Sequence, residues 1–152
     1  MIFAAFVLIT LTAYTQKLRP ESVPTPVKQA FAKKFPAAKD VTYEREKSNF
    51  EVNFKENGVE TSANFNVHGG WLETETEIKV SDLPGEVTTS VAKSFKGYSV
   101  SEASKTVYPD KELIYELELK KDNQTYEVQF SPTGDILKTE VIKKSSAKEK
   151  KD

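Results

Sequence analysis

The stretch Asn49 to Val67, NFEVNFKENGVETSANFNV, decides the architecture of this chain. Phe50, Val52 and Phe54 alternate with Glu51, Asn53 and Lys55, the period-2 pattern of a strand buried on one face only. Glu56-Asn57-Gly58 follows, and Asn-Gly between two alternating runs is the strongest short-range hairpin signal. The pattern then resumes: Val59, Thr61, Ala63, Phe65 and Val67 read as inward-facing, while Glu60, Ser62, Asn64 and Asn66 read as outward-facing. His68-Gly69-Gly70 makes the next turn, Trp71 to Ile78 reads as a third strand, and a weaker strand, Val41 to Glu46, precedes them.

Upstream lies a short amphipathic helix. Thr25 can cap it and Pro26 suits its first position. Val27, Ala30, Phe31 and Phe35 share one face, Lys33 and Lys34 suit the dipole of the last turn, and Pro36 stops it. The unit is therefore a helix followed by about four antiparallel strands.

The same unit recurs downstream. At an offset of 60 residues, Val23-Pro24 matches Leu83-Pro84, and Val27, Phe31 and Phe35 match Val87, Val91 and Phe95. After five inserted residues the offset becomes 65. Phe50, Val52 and Phe54 then match Tyr115, Leu117 and Leu119; Thr61, Ala63 and Phe65 match Tyr126, Val128 and Phe130; and Gly69 and Leu72 match Gly134 and Leu137. In the second copy Asp82 can cap the helix and Gly97 end it. Strands are expected at about Glu102 to Tyr108, Leu113 to Lys120, Thr125 to Phe130 and Ile136 to Ile142. The fold class is α+β: a tandem repeat of helix plus about four antiparallel strands, with the helices covering one face of the sheet. The expected divisions are a first unit at 23–80 and a second at 81–142, joined to the N-terminus by a linker at 16–22. Whether the strands form one continuous sheet or two packed half-sheets stays open at this level.

The ends differ from the middle. Met1 to Thr15 holds an apolar run too short for a ~30 Å hydrocarbon core. It reads as a signal peptide cleaved near Thr15, with Ala13 and Thr15 at the −3 and −1 sites, although no basic residue precedes the run. A buried N-terminal element is the alternative. Residues 143–152 hold five Lys against two acids and lack apolar periodicity, which predicts a disordered basic tail. Residues 21–142 carry 15 basic against 21 acidic side chains, so a basic footprint for nucleic acid is missing from the part that folds.

The 152 residues contain no Cys and one His. Disulfides, thiol nucleophiles and thiolate zinc sites are excluded, and a triad would have to be built on His68 alone. No phosphate-binding loop, nucleophile elbow or HExxH motif is present. His68 reads as a surface turn residue. No catalytic residue, cofactor or metal ligand is assigned.

The combination of VPTPVKQAFAKKFP at 23–36, VTYERE at 41–46 and NFEVNFKENG at 49–58, followed by a Gly-turn strand, resembles the bacterial PepSY-like family with its β-lactamase-inhibitory-protein-like fold. The resemblance covers about 21–142 and implies an exported, non-enzymatic domain of tandem helix-plus-four-strand units. It implies protein binding or peptidase inhibition only at family level, and carries over no catalytic motif.

The candidate site comes from strand alternation. Trp71, Glu73, Glu75 and Glu77 fall on one face, and pairing Leu72 with inward Leu137 directs that face outward. Glu116 and Glu118 join them, with Glu51, Glu60 and Glu127 on neighbouring outward positions. The plain interpretation is a solvated face whose charges discourage edge pairing. The functional one is a docking surface for a protein or peptide with a basic surface, anchored by Trp71 and steered by the carboxylates. Calcium would need 6–8 oxygens from a bent loop, which a straight strand supplies poorly. The expectation is an exported, monomeric binding module, periplasmic or secreted, without a stable membrane span. Inhibition of a target is one role it could serve. The alternative is binding of a small ligand or envelope polymer in the cleft between the two units.

Overall fold

The computed structural model describes residues 16–144. The expected signal segment and the tail beyond Lys144 lie outside them. The described residues form nine strands in one antiparallel meander, each paired only with its sequence neighbours. The first unit comprises β1 (Gln16–Leu18), α1 (Thr25–Lys34), β2 (Lys39–Glu46), β3 (Asn49–Glu56), β4 (Val59–Phe65) and β5 (Trp71–Glu77). The second comprises α2 (Gly85–Ser94), β6 (Ser99–Val107), β7 (Leu113–Lys121), β8 (Gln124–Phe130) and β9 (Ile136–Lys144). Short 3₁₀ turns at Pro20–Ser22 and Val80–Asp82 lead into the two helices.

Alternation explains the core. Val27 and Phe31 of α1 pack with Phe50, Val52, Phe54, Ala63 and Phe65 in one cluster. Val87 and Val91 of α2 pack with Ala103, Leu117, Leu119, Val128 and Phe130 in another. The alternate side chains of the same strands, Glu51 and Asn53 or Glu116 and Glu118, point to the opposite, open side. The units meet at β5 and β6 through four pairs, Thr74↔Val107 to Glu77↔Ser104, so the sheet is continuous.

Irregularities recur with the repeat. The β4–β5 register shifts after Asn64↔Glu73, so that Phe65 faces Trp71. The β8–β9 register shifts after Gln129↔Lys138, so that Phe130 faces Ile136. Leu72 and Leu137 are therefore equivalent bulge residues. The turn before each bulge is also shared: Gly69 N–H donates to Asn66 O and Gly134 N–H to Ser131 O, both at 2.9 Å. Gly69 and Gly134 have φ of +82° and +83°. A Cβ on either would lie 2.6 Å from Pro26 O or 2.5 Å from Glu86 O, so each turn rests directly on the first residues of its helix.

Several sequence expectations need correction. Gln16–Leu18 is an edge strand, not part of a linker: it pairs Gln16↔Arg45, Lys17↔Glu44 and Leu18↔Tyr43, and Leu18 packs against the first core. β9 continues past Ile142 to Lys144 because β8 starts early enough to pair Gln124 with Lys144. Neither Thr25 nor Asp82 caps a helix. Pro24 and Pro84 hold the N-cap positions, and their carbonyls accept from Lys28 and Thr88 N–H at 3.2 and 3.1 Å. Val59, Val67 and Leu137 are 40%, 46% and 49% exposed, because they lie at a strand end, in a turn and in a bulge.

Candidate functional site

The open side of the sheet curves around a cleft of about 520 Å³. Its lining runs from Glu51 on β3 to Ile142 on β9, strands that a flat sheet would hold about 29 Å apart at ~4.8 Å per strand. Glu75 and Glu77 of β5, Glu102 of β6, Glu116 and Glu118 of β7 and Glu127 of β8 contribute its carboxylates, and Glu51 and Glu60 extend them. Ser62 and Ser104 lie between them, and no Lys or Arg is among the lining residues. The cleft straddles the β5–β6 junction on the open side of the sheet.

Register accounts for the crowding. Glu75 sits across from Ser62 on β4 and Thr106 on β6, and Glu118 faces Glu102 on one side and Glu127 on the other. Burial raises Glu75 above the ordinary carboxylate range, with Glu116 and Glu73 adding to the shift and a Ser104 hydrogen bond opposing it. Burial likewise raises Glu51, helped by Glu44, Glu46 and Glu75. Glu127 is raised by burial, then by Glu116 and Glu140, with Lys138 opposing. Glu118 goes the other way: hydrogen bonds from Lys120 and from Ser101 Oγ, the latter at 2.7 Å, lower it. Gln129 Nε2 donates to Glu116 Oε2 at 2.8 Å. Cations on this side are engaged at its margins, Lys55 with Glu60 at 3.2 Å and Lys138 with Glu140 at 2.9 Å.

Of the six residues that sequence alternation selects, Glu75, Glu77, Glu116 and Glu118 line the cleft. Glu73 shares the open side but lies beyond the lining. Its Oε1 accepts from Asn64 Nδ2 at 2.8 Å, and it stands beside Tyr108, whose phenol is pushed up to about 12 by burial and by that carboxylate.

Trp71 does not share this side. The bulge at Leu72 places it opposite Phe65, on the core side, where it packs against the first cluster. Its Nε1 donates to Glu73 O at 2.6 Å and Thr74 Oγ1 at 2.9 Å, and Lys34 Nζ lies 3.5 Å from the ring centroid. The expected aromatic anchor of the acidic face is thus a lid on the end of the α1 core. A bulge changes which residues share a face, and period-2 counting across it fails. Glu102 belongs to the cleft and lies outside those six residues. Alternation outward from buried Ala103 would have found it.

His68 is exposed in its turn, and its backbone N–H donates to Asn66 Oδ1 at 3.0 Å. No group of three or more His, Asp or Glu side chains among the described residues is arranged to hold a metal ion. No described helix is long and apolar enough to cross a membrane.

A DUF2874 family protein from Bacteroides ovatus is 25% identical and superposes with a TM-score of 0.72, over 78% of this chain and 87% of its own. A "putative periplasmic" protein from Bacteroides eggerthii is 22% identical, with a TM-score of 0.75 over 79% and 89%. A BLIP-like protein from Bacteroides fragilis is 21% identical, with a TM-score of 0.69 over 80% and 89%. Among curated proteins, none matches this chain. The sequence pattern of the family described as "Putative beta-lactamase-inhibitor-like, PepSY-like" matches twice, over residues 11–62 and 49–138, and this chain therefore belongs to the PepSY-like family.

Proposed function

We propose that this protein is an exported, non-enzymatic binding module that docks a protein or peptide with a basic surface in the acidic cleft of its open sheet side. The observation that carries this reading is the gathering of Glu75, Glu116 and Glu127 in a recess lined by no cation, with Glu75 and Glu127 held above their ordinary range by burial and mutual repulsion. A Lys or Arg entering the recess relieves that repulsion, so part of the binding energy is already stored in the free protein. Export rests on the apolar segment 1–15, and the family's description as "beta-lactamase-inhibitor-like" supports a binding role.

The test is affinity capture from the envelope fraction of the producing cell, with the wild-type chain beside a Glu75→Lys/Glu116→Lys/Glu127→Lys variant. The expected result is a protein retained by the first and lost by the second. Retention should also weaken between ~0.01 M and ~0.15 M salt, as the screening length falls from ~30 Å to ~8 Å. Equal retention by a variant that keeps its circular dichroism spectrum sinks the reading.

A second reading has support in one observation: the cleft lies across the β5–β6 junction, where a small ligand held between the two units would sit. Its carboxylate lining calls for a cationic ligand, such as a polyamine. Calorimetric titration with spermidine, saturating at a single site that the same variant abolishes, would favour this reading over a protein partner.

A further inference from the structure

The outer edge of β9 carries a second inference, which does not rest on the proposed binding function. Among the described residues, no strand pairs with that edge. Its apolar side chains are poorly covered: Ile136, Leu137, Val141 and Ile142 are 43–49% exposed. Long unpaired edges with exposed apolar side chains invite pairing with another chain, and proteins ordinarily blunt them. At the opposite edge, β1 contributes three of the described residues.

The molecule contains its own precedent for what such an edge does. β9 is the counterpart of β5, with the same turn and the same bulge before it. In β5 the edge is occupied: Thr74 to Glu77 pair antiparallel with β6, and those four pairs join the two units. The corresponding residues in β9 are Thr139 to Ile142, where Val141 and Ile142 replace Thr76 and Glu77. The edge of the second unit is therefore more apolar than its occupied counterpart, yet no strand among the described residues covers it.

The sequence of this edge is complementary to itself. If two copies pair antiparallel about a two-fold axis at Thr139, Lys138 stands opposite the partner's Glu140 and Glu140 opposite the partner's Lys138. Leu137 then faces the partner's Val141, and Thr139 faces the partner's Thr139. Lys138 and Glu140 lie on the same open side of the sheet, as cross-strand partners must, and each is about half exposed, at 51% and 50%. A register shifted by two residues along either strand would lose both opposed ion pairs. We infer that β9 is a dimerisation edge, joining two copies of this chain by antiparallel pairing centred on Thr139 into one continuous sheet. This is an isologous two-fold contact, the commonest oligomeric arrangement, and it departs from the single-chain expectation raised by the sequence.

The test uses the full chain in a concentration series by sedimentation equilibrium. The mass should rise from 17.1 kDa towards twice that value. Lys138→Glu sets four carboxylates along the junction and should weaken the dimer about tenfold, by turning two attractive cross-strand pairs repulsive. The double variant Lys138→Glu/Glu140→Lys restores opposite charges in this register alone, and should recover the loss. The chain has no Cys, so Thr139→Cys supplies a single thiol. Across the axis, its Cα would lie about 4.5–5.5 Å from its mate, within disulfide range. Treatment with diamide, a mild thiol oxidant, should cross-link it faster than Val59→Cys on the first hairpin, which is also exposed. A monomer throughout the series overturns the inference. So does a dimer in which Thr139→Cys links no faster than Val59→Cys, which would place the contact elsewhere, such as on the segment before residue 16. Failure of the double variant to recover overturns the register and the proposal with it.

Discussion

The two units share one frame and fill it differently. In the first, Phe31 of α1 lies 5.1 Å from Phe54 and 6.4 Å from Phe65, and Phe35 lies 4.7 Å from Phe54. In the second, Val91 stands where Phe31 does and Leu119 where Phe54 does. The missing volume is made up by larger residues elsewhere, Val128 for Ala63 and Tyr126 for Thr61. Phe95, Tyr98 and Tyr126 form a half-buried aromatic cluster, with Tyr98 and Tyr126 5.5 Å apart. What persists between the copies is backbone: the bulges at Leu72 and Leu137, and the glycine turns resting on the helix starts. A core tolerates redistribution of volume, whereas a glycine with positive φ against a carbonyl tolerates no side chain.

Core truncation should expose the difference most strongly. Phe54→Ala removes a ring that touches two others and should cost about 3–5 kcal/mol, against about 2–5 for Leu119→Ala, with the larger loss in the first unit. Denaturant midpoints measure both. Because the units share a sheet, a single transition is expected for each variant; two resolved transitions would show that the units unfold separately. The glycine turns come next. Gly69→Ala and Gly134→Ala should each cost about 1–3 kcal/mol by forcing the turn off its helix. Gly58→Ala has the same sign of φ but nothing within 4 Å, so it should cost about 1 kcal/mol. Equal losses at all three would remove the steric explanation.

A smaller asymmetry lies at Trp71. Its counterpart is Ile136, and the counterpart of Lys34 is Ser94, so the cation over the ring exists only in the first unit. Lys34→Ala should destabilise by about 0.5–2 kcal/mol and alter Trp fluorescence, while Ser94→Ala should do neither.

The smallest effect is electrostatic. Glu75 is half-buried and raised, whereas its counterpart Glu140 is half exposed and paired with Lys138. A carboxyl raised in the folded state binds more protons there than in the unfolded chain. Between the unfolded value of 4.5 and the higher folded value, stability therefore falls as pH rises, and the penalty is complete above the folded value. Glu75→Gln should accordingly stabilise the protein at neutral pH and lose that advantage below about pH 4.5. Glu140→Gln should give no such gain. Thermal melts across that range check both, and basic-partner binding should weaken on acidification over the same range.

Much of the frame is legible in the amino-acid order. The alternation around Phe50–Phe54, the Asn57-Gly58 hairpin and the Phe31/Phe35 stripe reflect local rules: pleat period, turn chemistry and helical period. The acidic side is legible in the same way: Glu116 and Glu118 flank buried Leu117, and Glu75 and Glu77 share one face of β5 by period-2 alternation. Trp71 shows where counting stops. A single extra residue at Leu72 reverses the facing of everything before it, and a bulge has no signature that alternation alone reveals.

The chain order by itself determined the repeat, the strand and helix periods, and the segregation of charge to one side, because each depends on residues near in sequence. Only the tertiary structure decided that the strands make one sheet, that the sheet curves until β3 and β9 border a common cleft, and that β9 has no strand beyond it among the described residues. These depend on pairing between strands far apart in the chain and on accumulated twist, where small local angles add across nine strands.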